Sequence, residues 1–125
     1  MTRWSRFPKV KQQIAHLIGA KEEQRARQFL EAKGLVFVAQ NYRCKAGEID
    51  LVMQEQGCLV FVEVKYRSNK QHGSAVEFFT ISKRQKLHRA INHYLQAKRI
   101  NEAHAELRID LVAIDGKAIQ WLKAV

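Results

Sequence analysis

Two short segments carry acids where an apolar strand would ordinarily carry none. They read Gly47-Glu48-Ile49-Asp50-Leu51-Val52 and Val60-Phe61-Val62-Glu63-Val64-Lys65. An isolated ionised carboxylate buried in such a strand costs on the order of several kcal/mol unless something compensates it. An Asp on one strand with Glu-x-Lys on the next can hold a divalent cation and activate a water beside it. The chemistry this favours is phosphodiester hydrolysis. Hard oxygen ligands suit Mg²⁺ or Mn²⁺ and leave positions for water and a phosphate oxygen. The ion would lower the pKa of the water and offset charge building on the phosphate. Lys65 would orient the water or the phosphate. The ordinary alternative is a solvated Glu63–Lys65 pair on a half-exposed strand.

The elements must bring these groups together. Side chains alternate along a strand, so Glu48 and Asp50 are expected on one face, with Ile49 and Leu51 on the other. Likewise Glu63 and Lys65 point together, away from Val62 and Val64. A two-residue turn at Gln56-Gly57, or a four-residue loop over 55–58, pairs Asp50 directly with Glu63 and sets their Cβ atoms about 4.5–5.5 Å apart. A slip of one residue would send the two acids to opposite faces. A third acid could come from the first helix, where Glu22 and Glu23 both lie about one turn before Ala26.

Periodicity places a helix over 20–33, stopped by Gly34, and strands over 35–42, 47–53 and 58–66. A polar loop follows from Ser68 to Ser74. The clearest helix spans 82–98, with Leu87, Ala90, Ile91, Tyr94 and Leu95 on one stripe and Thr80 or Ser82 as cap. Strands over 106–114 and 117–122, joined at Asp115-Gly116, complete the order α-β-β-β-α-β-β. The fold class is therefore α/β, with a mixed central sheet flanked by helices. Residues 1–18 form a basic N-terminal segment with a short helical pattern at Ile14, Leu17 and Ile18, and 19–125 form one domain.

The 125 residues carry a net charge of +10 and a pI near 10, which favours a polyanionic partner. Residues 1–45 hold ten Lys/Arg against three Asp/Glu, residues 46–81 three against five, and residues 82–125 nine against four. The acidic centre thus coincides with the two unusual strands, as suits a metal site that receives a phosphate backbone. No apolar run reaches the roughly 20 residues of a membrane span, and no secretory signal is expected. Cys44 and Cys58 show no metal-ligand spacing and read as buried, reduced thiols of a cytoplasmic protein.

The same residues resemble a family. An acid in the first helix, Asp in the second strand and Glu-x-Lys in the third look like the PD-(D/E)XK superfamily, whose fold is that of restriction endonucleases and Holliday-junction resolvases. More closely, Gly-Glu-Ile-Asp-Leu-Val, Phe-Val-Glu-Val-Lys-Tyr-Arg and Lys-Arg-Gln-Lys-Leu-His-Arg-Ala resemble the YraN-like family of small bacterial proteins proposed to be endonucleases. The resemblance covers roughly 19–115. It implies a restriction-endonuclease-like core, metal-binding Asp50 and Glu63, the lysine at Lys65 and the helix acid at Glu23. Ile49 stands where the superfamily often has Pro, and Glu22 where a Gly usually precedes the helix acid.

Other residues are weighed against this site. Asp110 reads as the structural partner of Arg108, and Glu48 as a support for Asp50 or Lys65. Arg67 and Ser68 follow the active strand and are candidates for phosphate binding. Lys83, Arg84, Lys86 and Arg89 on the second helix could track a nucleic-acid backbone by charge. The expected function is a Mg²⁺- or Mn²⁺-dependent endonuclease acting on DNA, with branched recombination or repair intermediates in view and RNA as another substrate. A homodimer would supply two sites for two strands. The competing readings are a non-catalytic nucleic-acid-binding module of the same fold and a membrane-surface protein using Trp4 to Lys11.

Overall fold

Two layers of apolar side chains, one on each face of a single sheet, decide the architecture. The computed structural model describes residues 8–67 and 79–125, with side chains from residue 17 onward. Helix α1 spans Pro8–Ala32, strands β1, β2 and β3 span Val36–Cys44, Gly47–Glu55 and Cys58–Arg67, and helix α2 spans Ile81–Ala97. A 3-10 turn at Glu102–His104 leads to β4, Glu106–Asp115, and β5, Ala118–Leu122. The sheet order is β1-β2-β3-β4-β5, antiparallel except for the parallel pair β3–β4 that α2 connects. This is the expected mixed α/β arrangement.

Helix α1 covers one face through Ala26 and Leu30, packed with Leu51, Met53, Val60, Val62, Val112 and Ile114. Helix α2 covers the other through the stripe Leu87, Ala90, Ile91, Tyr94 and Leu95, packed with Ile49, Val52, Phe61 and Leu111. Thr80 caps α2, its hydroxyl accepting from the Lys83 amide at 3.2 Å. The first helix is longer than its periodicity implies. It runs without a break through Gly19, a tolerated helix interior residue that costs about 1 kcal/mol relative to Ala. Of the apolar positions expected to pattern this stretch, Leu17 and Ile18 are exposed.

The β2–β3 turn is the two-residue one. Glu55 pairs with Cys58, and Gln56 and Gly57 both have positive φ, 49° and 83°, as a type I′ hairpin requires. Its register runs from Glu55–Cys58 to Leu51–Val62 and then stops. Beyond that point β2 continues on β1 as far as Gly47, while β3 continues on β4 as far as Arg67. The sheet forks there.

At the other end, the fully buried Asp110 is a structural anchor. It accepts both arms of Arg108 at 2.9 Å, the Trp121 indole N–H at 2.9 Å and the Ala124 amide at 3.0 Å. Arg108 also reaches Glu55 at 2.8 Å. Both cysteines are free and half-buried, a little more open than a core thiol. No helix among the described residues is long and apolar enough to cross a membrane.

Candidate active site

The fork leaves Asp50 at the first step where β2 and β3 no longer pair. Its carboxylate takes the place of a strand partner, accepting the Val64 amide at 2.8 Å. The expected register thus persists to Leu51–Val62, but the next step is bridged by the Asp50 side chain rather than by the ladder. Glu63 and Asp50 line the same cavity, close enough for each charge to act on the other. Lys65 lies 3.8 Å from Glu63 Oε1. Glu63 and Lys65 share a cavity while Val62 and Val64 pack toward α1, as alternation along β3 requires.

On β2 the simple alternation fails. Ile49 packs in the α2 layer and Leu51 in the α1 layer, so the two do not share a face. The cause is visible on β1. Between the pairs Gln40–Leu51 and Tyr42–Ile49, Asn41 adopts a left-handed backbone with φ 53°. Asn tolerates that region better than most residues because its short side chain can bond locally. Asp50 lies between the two layers, grouped with Glu23 of α1 and sharing a cavity with Lys83, Lys86 and Leu87 of α2.

From α1 comes Glu23. Its carboxylate, with those of Glu48 and Asp50, forms a group whose oxygens lie within 4.8 Å of one another. Glu22, the other helix acid, is buried and turned instead to Arg25 at 2.7 Å. Asn41 ties the cluster together. With its amide nitrogen facing the acids, it donates to Glu23 Oε2 at 2.6 Å and to Glu48 Oε1 at 3.3 Å. Sequence reasoning missed Asn41, since a single polar residue in a strand carries no periodic signal. From α2 come Lys83 and Lys86, which line a cavity of about 230 Å³ together with Gly47, Glu48, Asp50, Glu63, Lys65 and Leu87.

Crowding of acids perturbs their protonation. Burial, then the neighbouring Asp50 charge, pushes Glu63 up to about 8 despite Lys65. Burial likewise raises Asp50 to about 6, against the Val64 amide, which favours the charged form. Glu23 is raised to about 7 by burial and then by Asp50 and Glu48. Three carboxyls that resist ionisation around Asp50 are what an oxygen-coordinated cation relieves. The donor set fits Mg²⁺ or Mn²⁺ and does not fit a zinc site, which favours Cys and His.

Residues 22–114 match the family described as uncharacterised protein family UPF0102. The chain belongs to this family. It is 48% identical over 105 residues to a UPF0102 protein of Shewanella denitrificans, covering 84% of this chain and 94% of that one. A UPF0102 protein of Aeromonas hydrophila is 45% identical over 101 residues, covering 81% and 78%. One from Shewanella halifaxensis is 45% identical over 101 residues, covering 81% and 87%. The YraN-like resemblance thus holds at the level of the UPF0102 family, whose matched span contains Glu23, Asn41, Asp50, Glu63, Lys65 and Lys83.

Arg84 and Arg89, on α2, are not among the residues that line the cavity. Arg67 ends β3 opposite Asp115. The Arg84 guanidinium lies 4.8 Å from the centre of the Phe79 ring, and Arg89 is exposed on α2. Ser68 and the segment around Trp4 lie outside the described residues. Tyr42 packs edge-on against Tyr94 and bonds His93, so its ring is committed to the fold.

Proposed function

We propose that this UPF0102 chain is a divalent-cation-dependent nuclease of the PD-(D/E)XK type, hydrolysing phosphodiesters in nucleic acid, with DNA as the preferred substrate. The observation that carries this reading is the meeting of Asp50 and Glu63 in one cavity at the fork, beside Lys65. Two carboxyls so placed cannot both ionise freely, and a structural role would be served better by a neutral pair. Asp50 and Glu63 would hold Mg²⁺ or Mn²⁺, with Glu23 completing the acid set. The cation would supply charge neutralisation for the phosphate and make a water easier to deprotonate.

The chain's own residues do the rest. The Val64 amide and the strand backbone fix the Asp50 carboxylate, so it does not need to reorganise when substrate arrives. Asn41 holds Glu23 and Glu48 by donating to both. Lys65 carries an ammonium on the Glu63 side of the cavity, where it can donate to an attacking water or to a phosphate oxygen. The basic surround, +10 in all, favours arrival of a polyanion.

The test is cleavage of branched, flapped and single-stranded DNA and RNA with and without Mn²⁺, beside Asp50→Asn and Lys65→Met. Cleavage present in the natural chain and lost in both variants supports the proposal. Tight nucleic-acid binding with no cleavage in any metal would replace it with a binding module of the same fold.

A further inference from the structure

Helix α2 begins against its own electrostatics. Its first turn contains no acid, and Lys83, Arg84 and Lys86 crowd its N-terminal half. The N-terminal end of a helix carries partial positive charge, where acidic side chains stabilise and basic ones do not. The helix is also seated closely. A Cβ on Gly47 would lie 3.4 Å from the Lys86 carbonyl oxygen, so β2 and α2 approach to near backbone contact there. That seating carries Lys83 to the cavity that Lys65 also lines. Two ammonium groups facing one small cavity repel each other. Glu63 lies 3.8 Å from Lys65 and shares the cavity with both lysines.

We propose that Lys65 and Lys83 form a phosphate subsite that grips the non-bridging oxygens of the reacting phosphodiester, making Lys83 a catalytic residue rather than one of several surface charges tracking the backbone. This rests on the nuclease reading for its role in cleavage, and on the cavity alone for anion binding. An anion between the two ammonium groups turns their repulsion into attraction and offsets the positive helix end. The cavity size agrees. About 230 Å³ is below the roughly 300–1,000 Å³ of pockets that enclose drug-sized ligands, so it admits a phosphate group and solvent but not a buried nucleobase. Its chemistry agrees as well. The lining among the described residues is acidic, cationic, Gly47 and Leu87, with no aromatic platform and no side-chain amide to read a base edge. The subsite therefore recognises the phosphate and is indifferent to the base attached to it.

The experiment is titration of inorganic phosphate into the full-length, metal-free protein at pH 6, followed by amide ¹H–¹⁵N shifts and by calorimetry. Phosphate is then mostly a monoanion, as a phosphodiester is. Shifts centred on Gly47, Lys65 and Lys83 are expected. Lys83→Met should weaken phosphate binding about tenfold, Lys83→Arg should restore most of it, and Lys117→Met, in the β4–β5 turn, should leave it unchanged. Phosphate binding within twofold of the natural chain in Lys83→Met, or shifts centred elsewhere, would overturn the subsite. Because no turnover is read, loss of phosphate binding in Lys83→Met supports the subsite even if no strand is cut in any metal. Where cleavage is found, Lys83→Met should lower kcat, whereas a charge that merely tracks the backbone would raise KM alone.

Discussion

Replacing Glu63 by Gln should stabilise the metal-free protein at alkaline pH while abolishing its response to Mn²⁺. The carboxyl ionises near 4.5 in an unfolded chain and at about 8 in the fold. Because the folded value is the higher one, the folded state holds the proton more tightly. Stability from this group is fully present below about pH 4.5 and is lost as pH rises through about 8. At 1.36 kcal/mol per pH unit the interval corresponds to about 5 kcal/mol. Glu63 is 19% exposed in an open cavity, so solvent and movement of Asp50 reduce this to about 2–3 kcal/mol. Gln keeps the size and hydrogen-bonding capacity of the side chain and cannot ionise. Denaturant unfolding in EDTA should therefore show equal stabilities at pH 4.5, with Glu63→Gln ahead by about 2–3 kcal/mol at pH 8.5. Adding Mn²⁺ at pH 8.5 should reverse the order, since binding at about 1,000 times Kd contributes about 4.1 kcal/mol to the natural chain alone. A difference between the two proteins that stays flat from pH 4.5 to 8.5, with no response of either to Mn²⁺, would refute the crowded-carboxylate reasoning and the metal site with it.

Three further outcomes follow from the same geometry. Glu23→Gln should lower Mn²⁺ affinity measured by calorimetry at least tenfold, whereas Glu22→Gln, which touches Arg25 rather than the cluster, should leave it within twofold. Asn41→Ala should destabilise the fold by about 1–2 kcal/mol, because Ala lacks the short polar side chain that makes φ 53° tolerable for Asn. Asn41→Gly should lose less stability, yet both variants should raise the Glu23 ionisation followed by NMR, since the amide donor to its carboxylate is gone. Asp110→Ala should cost about 3–5 kcal/mol in denaturant unfolding by leaving Arg108 without its buried partner and releasing Trp121 and Ala124.

Much of the frame can be read from local chemistry. The Gln56-Gly57 turn, with two positive-φ positions, sets a register that the alternating valines of β3 then hold. The stripe from Leu87 to Leu95 announces α2, and Thr80 sits where a capping hydroxyl is needed. Gly34 stops α1 as expected, but the start of that helix does not follow from its apolar pattern. Leu17 and Ile18 stand exposed, and the helix passes through Gly19, so a continuous hydrogen-bond ladder outweighs the local signals there. Arg108 and Asp110, two residues apart on β4, advertise their own pairing.

What the chain alone determined was which groups could do chemistry and on which strands they lie: Glu63 and Lys65 share a face by strand period, and turn length brings the strand of Asp50 alongside them. Only tertiary structure decided what meets them. Glu23 was separated from Glu22 by α1 packing, which turns one acid to Arg25 and the other to the fork. Lys83 reached the cavity that Lys65 lines because Gly47 lets α2 approach β2 closely, and Asn41 entered the cluster through one left-handed residue. Each depends on contacts far apart in sequence or on a single dihedral, and neither leaves a trace in hydrophobic periodicity.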